Sequence, residues 1–258
     1  MNKLFGCTGF PRGGTHYAAL VMQKLGFKVE AEMMGKEGTS DWRLILTLSS
    51  RIDANDKNLV FFDDTEKMCV FRATALATNF VREKYRPYDY DDEKCRALLK
   101  EFCEVKYKHK LFFVRNPWHT ISAWSQLYHY PMNATTGGAV YIFNYYSKNK
   151  NVKYNNLIHQ STAMYLEYAE LIEKHCDEII TVENAFEDLN KFFMKNGLEK
   201  HINKEKIIIP RAGSTNLERL TVEDIKRNTT KEIFTGIQNF IEKIYNRQIT
   251  EEFGKDKE

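Results

Sequence analysis

The sequence predicts a three-layer α/β fold, in which helices flank a central parallel sheet. Apolar runs typical of buried strands alternate along the chain with segments of helical periodicity, as parallel strands joined by crossover helices require. The first strand leads directly into a glycine-containing loop and an amphipathic helix, and a later apolar strand ends at an arginine before another helix. The 258 residues are predicted to form a single domain, with a helical C-terminal part at about 218–250.

Strands are predicted where apolar runs are bounded by turn residues, at 3–7, 27–31, 58–62, 111–114 and 178–182. Helices are predicted where apolar residues recur with helical period, at 16–25, 91–105, 156–175, 185–194 and 233–245. We expect Gly26 to end the first helix, and Thr221 to cap a helix in the C-terminal part. Ser40 is predicted to cap a short helix that contains Trp42, and residues 68–71 form either a strand or the start of a helix.

Composition excludes several classes of protein. A net charge of +3 is too small to predict nucleic-acid binding, because nucleic-acid-binding proteins usually carry a strong basic patch. No apolar run approaches the ~20 residues of a membrane helix, and no signal peptide is visible, so we expect a cytoplasmic protein with no membrane partner. The five cysteines are odd in number and lack C-x-x-C spacing, which predicts free thiols and no metal site.

The segment Gly9–Thr15, with the sequence GFPRGGT, has the features of a phosphate-binding loop. Gly13 and Gly14 allow backbone N–H groups to point inward, and Thr15 can donate from its N–H and from its hydroxyl. The N-terminus of the following helix adds positive potential, and Arg12 adds a full charge. The alternative is a simple turn between strand and helix that carries a surface arginine.

A second basic site follows the predicted strand at 111–114. Arg115, Asn116 and Pro117 connect that strand to a helix, and proline suits the first helical position because its missing N–H would have no intrahelical partner there. We expect Arg115 to bind a second phosphate; the alternative is an ion pair at the start of the helix. Two basic sites, each at the carboxyl end of a predicted strand, suit a ligand with two separate phosphates.

These two motifs resemble those of the sulfotransferase family, whose donor is 3′-phosphoadenosine 5′-phosphosulfate (PAPS). Residues 11–16 resemble the 5′-phosphosulfate loop of that family, written P-[KR]-[SG]-G-T-[TSR], and Arg115 resembles the arginine of its 3′-phosphate site. The family serine that follows this arginine by eight residues is replaced here by Ala123, so Ser122 or Ser125 is the candidate hydroxyl partner.

Two further segments resemble the same family. The tripeptide Arg211-Ala212-Gly213 resembles its late R-x-G loop, which closes over the 3′-phosphate. Residues 32–42 resemble the pattern H-E-x-x-G-x-[DE]-G-x-x-S-W of a bacterial branch, with Ala31 in place of the histidine. The resemblance implies a P-loop NTPase-like sulfotransferase fold for the single domain.

The resemblance also implies a reaction, the in-line transfer of a sulfuryl group from PAPS to a hydroxyl or amine of a small-molecule acceptor, which leaves 3′-phosphoadenosine 5′-phosphate (PAP). Arg12 is implied to stabilise the departing negative charge. The general base is left open between Glu32, which follows the second strand, and His16 on the loop. Trp42 either stacks on adenine or fills the core. The implied donor-binding residues are Arg12, Gly13, Gly14, Thr15, His16, Trp42, Arg115, Ser122, Arg211 and Gly213.

Two other functions are left open. A P-loop kinase would require G-x-x-x-x-G-K-[ST], with a lysine just before the hydroxyl residue, whereas Gly14 precedes Thr15 here. A non-catalytic PAP-binding module would have kept the fold and lost the chemistry, which the departures at Ala31 and Ala123 allow. The sequence does not identify the acceptor or the oligomeric state.

Overall fold

A five-stranded sheet, parallel throughout, forms the centre of the molecule, as predicted. The structure, a computed structural model, describes residues 2–10, 13–31, 34–51, 55, 59–64, 67–72, 100, 103–127, 156–202, 209 and 219–253. The strands of the central sheet are β1 (Asn2–Gly9), β2 (Val29–Ala31), β3 (Gly38–Ser40), β6 (Lys106–Val114) and β7 (Glu178–Thr181). Between β3 and β6 in the chain, β4 (Leu59–Asp64) and β5 (Lys67–Arg72) form a separate antiparallel pair.

The order of the strands across the sheet is β2-β3-β1-β6-β7, which places β1 at the centre. Its first neighbour, β3, pairs in a register that sets Phe5 opposite Gly38. Its second neighbour, β6, pairs along the length of β1 and sets Gly9 opposite Phe113. The strands that flank β1 therefore come from sequence positions far apart, and the carboxyl ends of β1 and β6 lie side by side.

Helices cover both faces of the sheet. They are α1 (Thr15–Lys24), α2 (Leu44–Leu48), α3 (Pro117–Leu127), α4 (Leu157–His175), α5 (Ala185–Lys195), α6 (Val222–Asn228) and α7 (Lys231–Tyr245). Alternate residues of β6 belong to two different hydrophobic cores, one on each face of the sheet, because successive side chains of a strand point to opposite faces. Leu111 and Phe113 pack with α1 and α5, whereas Phe112 and Val114 pack with α2, α3, α4, α6 and α7. The predicted three-layer arrangement is therefore present.

Several predicted helix boundaries are confirmed. Pro117 is the first residue of α3, and Asn156 caps α4 by accepting the N–H of His159. Thr221 caps α6 through a reciprocal capping box. The first helix ends before Gly26, where the N–H of the following residue, Phe27, donates back to the last turn of α1. The predicted helical C-terminal part is present, and its apolar face packs against α4 and the sheet.

The prediction for Ser40 was wrong. Ser40 is the last residue of β3, and its hydroxyl donates to the carbonyl of Thr15 instead of capping a helix. The short helix α2 begins only at Leu44. Of the two alternatives for residues 68–71, the structure has the strand, as part of β5. Three small buried residues, 38–40, form an inner strand without any apolar run.

Among the residues described, no helix is long and apolar enough to cross a membrane. Cys7 and Cys176 are free thiols, as predicted. Four of the predicted site residues lie outside the described residues, namely Arg12, Glu32, Arg211 and Gly213. Most of the predicted helix at 91–105 also lies outside them.

Candidate functional site

The candidate site is at the carboxyl edge of the sheet, where β1 and β6 are neighbours. After β1 the chain enters α1 on one face and continues to β2 and β3 on one side of the sheet. After β6 it enters α3 on the opposite face and continues to β7 on the other side. Open α/β sheets bind ligands in the crevice where strand connections diverge in this way. Both basic motifs of the sequence follow the two strands that border this crevice.

The loop after β1 begins at Phe10, which is 1% exposed and held by aromatic rings of the opposite layer. Its ring stacks on that of Tyr165, with centroids 4.0 Å apart, and lies 4.2 Å from that of Tyr168. The N–H of Gly13 donates to the carbonyl of Phe10 over 2.7 Å, so the chain turns tightly back over the end of β1. A β-carbon at Gly13 would lie 2.6 Å from the β-carbon of Phe10, so the turn requires glycine.

Gly14 and Thr15 form the start of α1. Gly14 has φ +119°, a conformation that favours glycine, and an added β-carbon would lie 2.8 Å from a methyl group of Val182. Thr15 is buried, and its carbonyl accepts the hydroxyl of Ser40 over 2.7 Å. His16 is exposed on the first turn. The positive end of the α1 dipole is thereby fixed at the crevice, where an anion would be stabilised.

The hydroxyl of Tyr168 holds the end of β1. It donates to the carbonyl of Gly9 over 3.0 Å and also contacts the carbonyl of Trp42. Burial raises the pKa of Tyr168 well above its ordinary value, so the hydroxyl stays protonated. On the same helix, the buried hydroxyl of Tyr165 has no hydrogen-bond partner among the described residues.

This pair of tyrosines gives a matched prediction. We expect Tyr168→Phe to lower the free energy of unfolding by about 1–3 kcal/mol, because two buried carbonyls lose their donor. Tyr165→Phe removes a hydroxyl that bonds to none of the described residues, and it should leave stability unchanged or slightly raised. Urea denaturation of both variants tests this, and equal losses of stability would contradict the role given to Tyr168.

The second motif lies at the start of α3. Arg115 is half-buried directly after β6, and Asn116, with no exposed surface, accepts the N–H of Trp118 over 3.0 Å as a helix cap. The N–H of Asn116 donates to the carboxylate of Glu183 over 2.7 Å. Burial raises the pKa of Glu183, and the hydrogen bonds that it accepts and the charge of Arg115 oppose that rise.

Ser122 and Ser125, the two candidate hydroxyls, are both buried on α3. Ser125 donates to the carbonyl of Ile121, within its own helix. Ser122 accepts the N–H of Leu220 over 2.8 Å and the amide of Gln126 over 3.3 Å, which leaves its hydroxyl hydrogen for one further acceptor. The hydrogen bond from Leu220 attaches the part of the chain that follows the R-x-G segment to α3.

Trp42 lies in the core, with 7% of its surface exposed. It precedes Arg43, whose guanidinium forms a buried ion pair with Asp41 and lies 5.9 Å from the centre of the indole ring. Of the two alternatives for Trp42, the described residues show the core packing, and stacking on adenine stays a prediction. Because the charge of Arg43 is paired with that of Asp41, we do not assign Arg43 as an anion ligand.

No protein-family model, curated protein or solved structure matches this chain.

The site contains two residues that were not predicted from the sequence, Glu183 and Tyr168. A carboxylate two residues after the end of the strand at 178–181 could have indicated Glu183, because carboxyl ends of parallel strands share one edge. Tyr168 lies inside a long amphipathic helix, where one tyrosine is not distinguishable from another by pattern.

Proposed function

We propose that this chain is a PAPS-dependent sulfotransferase with the P-loop NTPase-like fold of that family. The observation that carries the proposal is the adjacency of β1 and β6 at the point where the strand connections diverge. The loop with Gly13, Gly14 and Thr15 follows one of these strands, and Arg115 follows the other. A nucleotide that carries phosphates at both its 5′ and 3′ positions requires two anion sites on neighbouring loops, and we assign these sites to the loops after β1 and β6.

On the 5′ side, the proposed ligands are the backbone N–H of Gly14 and Thr15, together with the dipole of α1. The N–H of Gly13, predicted as a ligand, is bonded to the carbonyl of Phe10, so the role of Gly13 is to form the tight turn. Arg12 follows Phe10, whose position is fixed by aromatic packing, and we assign its guanidinium to the bridging oxygen between phosphate and sulfate. The acceptor oxygen or nitrogen forms a bond to sulfur while the bond from sulfur to the bridging oxygen breaks. The electron pair leaves with PAP, so a cation at this oxygen stabilises the transition state.

A general base must take the proton of the acceptor. We assign this role to Glu32, because it directly follows β2, which ends at the same edge of the sheet as β1 and β3. His16 is the alternative, on the exposed side of the first turn of α1.

On the 3′ side, we assign Arg115 as the main ligand of the phosphate, with Arg211 and Gly213 completing the pocket. The support for the second pair is the hydrogen bond from Leu220 to Ser122, which anchors the chain a few residues after the R-x-G segment on α3. Because α3 begins two residues after Arg115, both Arg115 and Leu220 are attached to this one helix.

Binding of PAP tests the proposal. The wild-type chain should bind PAP without a metal ion, which a P-loop kinase is not expected to do. Arg115→Ala should weaken PAP binding by about 10- to 100-fold, because a charge-assisted hydrogen bond is worth about 1.5–3 kcal/mol. The same variant should bind adenosine 5′-phosphate as the wild type does, since that ligand has no 3′-phosphate. Isothermal titration calorimetry measures all four affinities.

The control is Arg227→Ala, because Arg227 is exposed on α6 and pairs with Glu223. This variant should bind PAP normally. Absence of PAP binding in the wild type, or an equal loss for both nucleotides in Arg115→Ala, would overturn the assignment.

A further inference from the structure

Glu183 lies in a turn that contacts both proposed phosphate sites. The turn, Val182–Asn184, is a single 3-10 turn directly after β7. The side chain of Val182 packs against Gly14, at the start of α1. Glu183, the next residue, accepts the N–H of Asn116 at the start of α3. One short turn therefore holds the chain after β1 on one side and the chain after β6 on the other.

Both oxygens of the Glu183 carboxylate are used. Oε1 accepts the N–H of Asn116 over 2.7 Å, and Oε2 accepts the hydroxyl of Tyr245, on α7, over 2.9 Å. The charge of Arg115 is close enough to stabilise the ionised carboxylate. A half-buried carboxylate is stabilised by such partners, because burying a charge without them is costly. Glu183 thus connects the backbone next to Arg115 to the C-terminal helix.

The side chain of Asn116 is held by a different part of the chain, the segment 249–253. Its Nδ2 donates to the carbonyl of Thr250 over 2.9 Å and to that of Phe253 over 3.0 Å. The indole N–H of Trp118 donates to the carbonyl of Ile249 over 3.0 Å. The residue after Arg115 is therefore fixed by Glu183 through its backbone and by the segment 249–253 through its side chain.

We propose that Glu183 is a positioning residue, which fixes the backbone between β6 and α3 so that Arg115 is presented to the 3′-phosphate of the donor. This inference rests on the proposed function. Glu183 itself contacts no phosphate in this scheme, since its two oxygens are occupied by Asn116 and Tyr245. Its effect should be on donor binding, through Arg115, and not on the chemical step.

Three variants separate positioning from a general loss of stability. Glu183→Ala removes the acceptor of the Asn116 N–H and should weaken PAP binding about tenfold. Glu183→Gln retains an acceptor oxygen and should recover most of that affinity. Asp188→Ala is the matched control, because Asp188 accepts two hydrogen bonds from Thr181 at the same strand end, over 2.9 Å and 2.7 Å. This control should leave PAP affinity within about twofold while also losing two partly buried hydrogen bonds.

The variants are compared by calorimetry with PAP and by amide hydrogen exchange in the absence of nucleotide. Glu183→Ala should speed exchange at residues 115–120, whereas Asp188→Ala should not. With PAPS and an active acceptor, Glu183→Ala should raise the KM for PAPS and leave kcat within about threefold. Unchanged exchange and affinity in Glu183→Ala, or the same losses in Asp188→Ala, would overturn the inference. If the wild type fails to bind PAP, the proposed function fails and the affinity effect with it, and the exchange result alone then decides whether Glu183 holds this loop.

Discussion

Gly38→Ala is expected to lower the free energy of unfolding by at least about 3 kcal/mol, a cost reached only where packing leaves no room. Gly38 starts β3 and pairs with both neighbouring strands. A β-carbon there would collide with the carbonyl oxygen of Phe5 and lie 2.7 Å from its carbonyl carbon. These are backbone atoms of β1, which cannot move without separating β1 from β3.

Urea denaturation followed by circular dichroism measures this effect. Gly197→Ala is the control, because Gly197 has φ +70° but no atom of the described part of the chain lies within 4 Å of an added β-carbon. It should cost about 1–2 kcal/mol, the ordinary cost of a left-handed conformation. Similar losses in the two variants would show that the close approach of β3 to Phe5 is not what requires glycine.

Arg12→Ala is expected to lower the rate of sulfuryl transfer by about 10³-fold, the upper range for removal of one group that stabilises developing charge. The affinity for PAP should fall much less than the rate, because the backbone of Gly14 and Thr15 and the α1 dipole still bind the 5′-phosphate. Arg115→Ala should have the opposite pattern of effects, with a large loss of PAP affinity and a smaller loss of rate at saturating donor.

Transfer is measured with labelled PAPS across a panel of alcohols, amines and sugars, after calorimetry has established PAP binding for each variant. Arg227→Ala again serves as the control and should transfer at the wild-type rate. Full activity in Arg12→Ala at saturating PAPS would remove Arg12 from the mechanism. Transfer by no acceptor, with intact PAP binding, would favour the non-catalytic module instead.

Local signals accounted for most helices and for the strands with apolar runs. Pro117 at a helix start, the cap at Thr221 and the stop at Gly26 are interactions between residues a few positions apart, so their pattern is legible in the chain. β3 was missed for a physical reason. Its three residues, 38–40, are small and fully enclosed between two strands, so the apolar alternation that predicts strands is absent.

The hydrogen bonds that hold the loops of the site in place could not be predicted from the sequence either. The segment 249–253 holds α3 through backbone carbonyls, and a carbonyl has no side-chain signature. A carboxylate after a strand could have indicated Glu183, but not its partner, the backbone N–H of Asn116, which is 67 positions away in the chain. Contacts of this kind are created by folding and depend on no local period.

The chain alone determined the α/β class, the glycine-rich turn before α1 and the arginine after a buried strand, because each depends on residues close together in sequence. Only the tertiary structure decided that β1 and β6 are neighbours and that their loops leave the sheet toward opposite faces. Strand order is set by how the two cores close over the sheet, which is a property of all the packed layers together. Because the layers close in this way, the loops after β1 and β6, which carry the two basic motifs, border one crevice.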